Sequence, residues 1–301
     1  MITDIPSPSE FQNYALDYMN LSWEQVVVLL RTLDEFKVEI DRDVPNAFWL
    51  AAQRPLATAV SLCHQGVEFL LKARISAVSP YLLIKGEPNK WPSKCEFENK
   101  QFSAFYTLDA EDLVRVCNTV ADARLPEAFA GRFNEVRRLR NSIAHTVDSN
   151  LVLNASEILT HILFFSDVFF GPLSWLPHRK SYMERDTNAA LYSTEHIGMY
   201  LAYEFSSVVE HLAPAPLREH FGFDKKRRRY ICPVCSREDD SGVFEYRMAV
   251  LEPNTSASVT MYCFVCDSTS EIVRTSCKNA ACKGTVIYDN YMCLTCGDRQ
   301  D

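Results

Sequence analysis

The chain has 301 residues, of which 47% are hydrophobic and 23% are charged, with only 9 glycines; this composition is typical of folded globular proteins and excludes disordered and collagen-like ones. Its length predicts one large and one small domain. The formal net charge is −8, so any nucleic acid would have to bind at local patches and not in a general basic field.

The first residues, MITDIPSPSEF, contain neither a basic start nor an apolar core, so the sequence predicts no secretory signal peptide. Residues 158–176 form the most apolar stretch, but Thr160, His161, Ser166 and Asp167 interrupt it, so no membrane span is predicted. We therefore expect a cytoplasmic protein in a reducing compartment. In such a compartment closely spaced cysteines favour metal binding over disulfides.

The chain up to about residue 222 spaces its apolar residues with a helical period, which predicts an all-α region. The predicted helices span residues 9–40, 46–78, 109–122, 126–147, 155–170 and 184–212. Prolines, glycines and charged residues predict surface loops at residues 80–100 and 171–180.

The character of the sequence changes near residue 223. Five consecutive basic residues, Lys225 to Arg229, open a cysteine-rich segment, and we interpret them as a solvated linker in preference to an RNA-binding element. Apolar and polar residues alternate over residues 243–251, which predicts a strand, and residues 285–292 predict a hairpin that turns at Asp289-Asn290. The predicted fold class is therefore mainly α, with a helical bundle followed by a small β-rich module.

Eight of the 11 cysteines occur as close pairs in this module, whereas Cys63, Cys95 and Cys117 are predicted packing residues. The pairs are Cys232-x2-Cys235, Cys263-x2-Cys266, Cys277-x4-Cys282 and Cys293-x2-Cys296. Zn²⁺ takes four thiolates in tetrahedral geometry, and a short spacer directs both thiolates of a pair at one ion, so four pairs predict two zinc ions. The spacing leaves two pairings open: sequential, as in tandem zinc ribbons, or cross-braced. Four thiolates leave no open coordination position, which favours a structural role over catalysis.

The predicted helix at residues 126–147 carries Arg140, Asn141 and His145. On a helical wheel Arg140 falls within the apolar stripe, where a guanidinium needs an acidic partner or a polar cleft. That stripe consists of Phe133, Val136, Leu139, Ile143 and Val147. Asn141 and His145 are an i, i+4 pair and can cooperate. From these residues alone, an arginine paired with a structural carboxylate and a surface histidine is the simpler interpretation. His64, one turn before Glu68 on another predicted helix, is interpreted as a structural helix-boundary histidine.

Two segments, FNEVRRLRNSIAHT at residues 133–146 and HQGVEFLLKA at residues 64–73, together resemble the HEPN superfamily (higher eukaryotes and prokaryotes nucleotide-binding domain). The resemblance covers residues 46–170 and implies an all-α bundle. It also implies metal-independent endoribonuclease chemistry at a dimer interface, where the motifs of two protomers face each other. We thus expect a helical extension at residues 1–45, a HEPN-like bundle at 46–170, additional helices at 171–223 and tandem zinc ribbons at 224–301.

The resemblance also implies roles for individual residues. His145 would be the general acid or base, and Arg140 would stabilise the negative charge of the phosphorus-centred transition state. Asn141 would orient His145 or a phosphate oxygen. Glu68 would pair with Arg140 or line the cleft, and Lys72 would lie one turn further on. With the RNA 2′-hydroxyl as the nucleophile, the products should end in a 2′,3′-cyclic phosphate, and DNA should resist cleavage.

The partners implied by the resemblance are an RNA substrate, a second copy of the chain and a regulatory protein or antitoxin. The cofactors expected are two structural Zn²⁺ ions, with no catalytic metal. By analogy with the family, the enzyme would act as a toxin or an antiviral defence effector. The alternative is a non-catalytic HEPN dimer that serves as an RNA- or protein-binding scaffold through its zinc ribbons.

Overall fold

The computed structural model describes residues 1–36, 44–86, 89, 91, 99–145, 151–185, 196–237 and 246–300, and for residues 44, 45 and 145 it describes the backbone alone. Within these ranges the chain is mainly helical, with a small β-rich C-terminal part, which confirms the predicted fold class at this level. Its contacts divide it into two compact units. Unit 1 comprises Met1–Val26 and Asp41–Gly171, and unit 2 comprises Val27–Ile40 and Pro172–Asp301.

The described residues of unit 1 are mainly helical and include two short parallel strands. Its helices are α1 (Pro8–Phe36, of which the residues from Val27 onward belong to unit 2), α2 (Val44–Ala51), α3 (Gln53–Val78), α4 (Ala110–Val120), α5 (Glu127–His145) and α6 (Ala155–Phe170). The strands are β1 (Ile2–Thr3) and β2 (Lys100–Gln101). The predicted helix at 46–78 divides at Ala52 because Pro55 cannot donate to the carbonyl of residue 51.

Helix α3 is the centre of unit 1 and packs against α4, α5 and α6. It also approaches α1 closely, because Gly66 has no side chain to separate the two backbones: a Cβ at this position would lie 2.8 Å from Met19 Cγ. The Ser22 hydroxyl donates a buried hydrogen bond of 2.7 Å to the carbonyl of Ala59 and fixes the register of the two helices. Helices α1, α4, α5 and α6 thus pack around α3.

Aromatic side chains fill the space between α5 and α6. Phe129 stacks on Phe133 within α5 and meets the edges of Phe165 and Phe169 on α6. Asn154 caps α6, since its side chain accepts hydrogen bonds from the backbone amides of the first turn. At the N-terminal end of α5 the predicted apolar stripe faces the core. Further along, Leu139 and Ile143 are half-buried, and Val147 lies outside the described residues.

Unit 2 contains both helices and short strands. Its helices are α7 (Trp175–Arg185), α8 (Ile197–His211), α9 (Pro214–Phe221) and α10 (Pro233–Arg237). Its strands are β3 (Arg229–Tyr230), β4 (Ala249–Leu251), β5 (Thr260–Cys263), β6 (Ser268–Glu271), β7 (Ile287–Tyr288) and β8 (Met292–Cys293). Strands β3 to β6 form an antiparallel sheet in chain order, and β7 pairs with β8. The predicted hairpin turn is confirmed, since Asp289 and Asn290 have φ values of 50° and 52°.

The prediction of a loop at residues 171–180 is wrong, because α7 begins at Trp175. A long-range interaction explains the helix. Arg179 of α7 forms a buried, bidentate ion pair with Glu204 of α8, with Nη2 2.9 Å from Oε2 and Nε 3.0 Å from Oε1. Contacts place α7, α8 and α9 in the same unit as the cysteine-rich residues.

The described helices give no single membrane span. None of them is by itself long and apolar enough to cross a bilayer. Helices α6 and α7 reach that length and apolar composition only when they are counted together.

The close approach of α1 and α3 can be tested at Gly66. Gly66→Ala is expected to lower the free energy of unfolding by about 1–3 kcal/mol, since the new methyl group overpacks the interface. Besides Met19 Cγ, the added Cβ would meet the carbonyl oxygen of Ala15 at 3.1 Å. The matched control is Gly131→Ala in α5, where an added Cβ meets nothing within 4 Å. The control should be neutral or stabilise the protein by up to about 1 kcal/mol. Urea denaturation followed by circular dichroism measures both, and equal stability of the two variants would contradict this packing.

Candidate functional site

Three ionisable side chains form a row along α3. His64, Glu68 and Lys72 follow one another at intervals of four residues and so lie on one face of the helix. His64 Nδ1 is 3.5 Å from Glu68 Oε1. His64 is 3% exposed, whereas Glu68 and Lys72 are half-buried. The first two of these side chains therefore interact directly, and the whole row is partly removed from water.

His64 connects this row to α5. Its imidazole stacks on Phe133 with ring centroids 5.4 Å apart, and its Nε2 is buried without a hydrogen-bond partner in the described part of the chain. Burial, assisted by the positive charges of Arg140 and Arg137, lowers the pKa of His64 to about 4. The histidine is therefore neutral at pH 7, and it lies inside α3 and not at the helix boundary where the sequence analysis put it.

The other two members of the row are shifted toward their neutral forms. Burial raises the pKa of Glu68, against the opposing charges of Lys72 and Arg140 and with the help of Asp109. Burial lowers the pKa of Lys72, and the charge of Glu68 opposes this shift. Such opposed shifts in neighbouring acid and base groups are frequent in catalytic sites.

Arg140 and Asn141 lie on α5 beside this row. Arg140 is half-buried, and its Nη1 donates a hydrogen bond of 3.0 Å to Oδ1 of the exposed Asn141. No carboxylate oxygen among the described residues lies within 4.0 Å of the Arg140 guanidinium, so Glu68 acts on it through space and not as a closed ion pair. The neighbouring Arg137, in contrast, reaches Glu111 of α4 at 3.3 Å. Within the described part of the chain, the hydrogen bond to Asn141 therefore leaves other N–H groups of the Arg140 guanidinium for a ligand.

His145 is the last residue of α5, one turn beyond Asn141. Its side chain lies outside the described part of the structure. Of the predicted site residues, Arg140 lies beside Asn141 and near enough to Glu68 for their charges to interact, and Lys72 lies one turn further along α3.

The eight paired cysteines form two separate groups. Group M1 contains Cys232, Cys235, Cys263 and Cys266, and group M2 contains Cys277, Cys282, Cys293 and Cys296. Within each group the four sulfurs lie within 4.8 Å of one another. The sequential pairing is therefore the one adopted, and the cross-braced alternative is wrong.

The sulfur separations fit a tetrahedral metal site. The M1 distances are 3.6 Å between Cys232 and Cys266 and 4.0 Å between Cys235 and Cys263. The corresponding M2 distances are 3.7 and 3.9 Å. Four sulfurs at metal–sulfur bonds of about 2.3 Å would be about 3.8 Å apart in a tetrahedron. A disulfide would need about 2 Å, so these groups have the geometry of metal ligands.

Local backbone features direct the sulfurs inward. The amide of Cys235 donates to Cys232 Sγ in M1, and the amide of Gly284 donates to Cys282 Sγ at 3.3 Å in M2. Gly284 is required beside M2, because a Cβ there would lie 2.6 Å from Thr295 and 3.0 Å from Cys293 Sγ. The two amide-to-sulfur hydrogen bonds favour the thiolate form of Cys232 and Cys282 and hold these sulfurs close to the backbone.

Groups M1 and M2 belong to unit 2, and the segment that carries M1 packs against its helices. Phe264, between the two M1 cysteines of the β5–β6 turn, packs on Phe223 at 4.7 Å and contacts Phe205 of α8 and Phe221 of α9. The amide of Ile231 donates to the carbonyl of Leu294, which joins the M1 segment to the M2 segment. The cysteine module and the helices therefore share one core.

The basic run is also part of this unit, and the prediction of a solvated linker is wrong. Lys225 Nζ donates to the carbonyl of Glu210 at 2.7 Å, at the C-terminal end of α8. Arg227 reaches Glu252 at 3.1 Å, and Arg229 reaches the Glu210 carboxylate at 2.6 Å. These pairs connect the end of α8 to the sheet.

Comparison with protein-family models, with curated proteins and with solved structures finds no match for this chain.

Metal content tests the two cysteine groups. The full chain is expected to carry two metal ions, one for each group, as counted by inductively coupled plasma mass spectrometry. Cys266→Ser should lower the content by about one ion, because three thiolates hold zinc-type ions much more weakly than four. Cys117→Ala, which removes a buried thiol of α4 outside both groups, is the control and should leave the content unchanged. A metal-free wild type, or a Cys266→Ser variant with the full complement, would contradict the assignment.

The burial of His64 predicts a pH dependence of stability. Its folded pKa of about 4 lies below its ordinary value of 6.5, so the unfolded chain binds the proton first as the pH falls. The neutral histidine therefore contributes stability that is present above pH 6.5 and is lost as the pH falls toward 4, by about 3 kcal/mol in total. His64→Phe keeps the stack on Phe133 and should flatten this part of the curve. Unfolding free energies at several pH values measure it, and identical pH slopes for wild type and variant would exclude the shift.

Proposed function

We propose that M1 and M2 each hold one structural Zn²⁺ ion. Tetrathiolate sets with tetrahedral spacing are the preferred ligands of this ion. Four thiolates fill its coordination sphere and leave no position for water or substrate. The ions would stabilise the strands β3 to β8, each of which is only two to four residues long.

We propose further that the chain is a metal-independent endoribonuclease of HEPN type that acts as a homodimer. The packing of α3 against α5 is the observation that supports this proposal most directly. It sets the two segments of the HEPN resemblance side by side, so that the charge of Arg140 acts on both His64 and Glu68. The chemistry then follows from the residues of this surface.

The reaction begins when a base removes the proton of the RNA 2′-hydroxyl. The 2′-oxygen forms a bond to phosphorus, the bond from phosphorus to the 5′-oxygen breaks, and an acid protonates the leaving 5′-oxygen. The products are a 2′,3′-cyclic phosphate and a 5′-hydroxyl. His145 is the proposed acid or base, because imidazole titrates near neutral pH. Arg140 provides donors to the phosphorane oxygens, and Asn141 holds the guanidinium in position through its 3.0 Å hydrogen bond.

Glu68 and Lys72 supply the electrostatic setting of this site. Burial raises the pKa of Glu68 and lowers the pKa of Lys72, so the neutral form of each group is favoured more than it is in water. Glu68 also attracts the Arg140 guanidinium toward α3. We therefore propose that Glu68 positions Arg140 and that Lys72 contributes positive charge to the phosphate-binding surface.

The HEPN resemblance also supplies the proposed setting, a cytoplasmic toxin or antiviral effector controlled by a regulatory protein. The alternative is a non-catalytic scaffold, in which the same bundle dimerises and the zinc ribbons bind RNA or protein. RNA cleavage that is lost on mutation of the proposed site would exclude this alternative.

RNA cleavage by the purified, metal-loaded chain tests the enzyme. With EDTA added briefly to the folded protein, the wild type is expected to cleave single-stranded RNA. His145→Ala and Arg140→Gln should each lower the rate at least a hundredfold, because they remove proton transfer and charge stabilisation. Gel electrophoresis of end-labelled RNA gives the rates.

Arg138→Gln is the matched control, since Arg138 is an exposed arginine on the same helix. It removes the same charge from α5 and should change the rate by no more than about twofold. Cleavage that survives in His145→Ala would contradict the proposed site. An inactive wild type would favour the scaffold.

A further inference from the structure

Unit 2 contains a cleft that neither the metal groups nor the proposed ribonuclease site uses. It lies between the second part of α1, helix α8 and residues 246–248, just before β4; it is open to solvent and has a volume of about 610 Å³. This volume is within the range of small-molecule sites.

One wall of the cleft is a ladder of planar groups. The Arg31 guanidinium lies 3.8 Å from the centroid of the Tyr203 ring, and Tyr203 stacks on Tyr246 with centroids 4.9 Å apart and ring planes inclined by 28°. The Tyr203 hydroxyl donates to Glu35, which fixes the ring. Half-buried aromatic rings held in this way provide a surface on which a heteroaromatic base stacks.

Two further arginines line the cleft. Arg229 donates to Glu210 at 2.6 Å, and the exposed Arg247 donates to the carbonyl of Thr295 at 3.1 Å. A guanidinium has five N–H donors in a planar fork, so each arginine retains donors beyond these contacts. Such forks match the oxygens of a phosphate group.

Carboxylates balance these arginines. Asp34, whose Oδ1 is 2.9 Å from His211 Nε2, and Glu35 both line the cleft, together with Glu210. Three carboxylates beside three arginines do not favour a long polyanion. They favour a small ligand that carries both an anionic group and hydroxyl donors, such as a sugar phosphate or a nucleotide.

Two residues of the cleft, Tyr246 and Arg247, are connected to the cysteine groups M1 and M2. Tyr246 and Arg247 lead directly into β4, in which Ala249 pairs with the M1 ligand Cys263. The Arg247 hydrogen bond ends on Thr295, which lies between two M2 ligands. These contacts connect Tyr246 and Arg247 to the backbone of both cysteine groups, which helps to position the two side chains.

We propose that this cleft binds a nucleoside monophosphate. The base stacks on Tyr246, the phosphate accepts hydrogen bonds from Arg247 and Arg229, and the ribose hydroxyls donate to Asp34 and Glu35. This site is separate from the ribonuclease residues of unit 1, and the proposal does not depend on their activity.

Isothermal titration calorimetry of the metal-loaded full chain with AMP tests the proposal. AMP is expected to bind saturably, and adenosine and ribose 5-phosphate, which lack the phosphate or the base, should bind at least tenfold more weakly. Tyr246→Leu and Arg247→Gln should each weaken AMP binding at least tenfold. Circular dichroism and metal content confirm that each variant is folded, and Arg247→Gln keeps the test decisive where Tyr246→Leu fails to fold.

The controls are Tyr200→Leu and Arg228→Gln. Tyr200 is a 46% exposed tyrosine of α8, and Arg228 adjoins Arg229, but neither lines the cleft. Both variants should bind AMP within about twofold of wild type. The proposal is overturned by the absence of saturable AMP binding up to about 1 mM, by ribose 5-phosphate binding as tightly as AMP, or by equal losses in the control variants.

Discussion

Unit 1 depends on the burial of α3, a helix that carries ionisable side chains among its apolar ones. Helices on several sides remove water from the row of His64, Glu68 and Lys72, so the charged forms of these groups become less favourable. Burial is the main cause of the lowered pKa of His64, and the positive charge of Arg140 on α5 adds to this effect while it opposes the raised pKa of Glu68. Packing therefore raises the pKa of Glu68 and lowers the pKa of both His64 and Lys72, and the Arg140 guanidinium lies beside this row.

Unit 2 differs from unit 1 in that it contains short strands, each two to four residues long. The two tetracysteine groups fix the turns of these strands, and Phe264 carries the M1 turn into an aromatic cluster shared with α8 and α9. Lys225 and Arg229 add polar links to the end of α8. The cysteine module thereby shares aromatic and polar contacts with the helices, so it is a structural part of this unit.

The sequence predicted those features that depend on local pattern. Helices α4, α5 and α6 follow their apolar period, and the Asp289-Asn290 turn follows from residues that tolerate positive φ. Features set by distant partners were missed. Helix α7 has few apolar residues and owes its place to the pair of Arg179 with Glu204, and the cleft unites residues of α1, α8 and the segment before β4. Cysteine spacing predicted metal binding but could not choose between pairings, because both place identical ligands around each ion.

The most direct test of the account is the chemistry of the cleaved RNA ends. A defined RNA would be cleaved by the full chain, and the same RNA would then be prepared with a 2′-O-methyl group at the mapped cleavage nucleotide. The account predicts 2′,3′-cyclic phosphate and 5′-hydroxyl ends from the first RNA and no cleavage at the methylated nucleotide of the second. Cleavage that persists at the methylated nucleotide, or products with 3′-hydroxyl and 5′-phosphate ends, would contradict it.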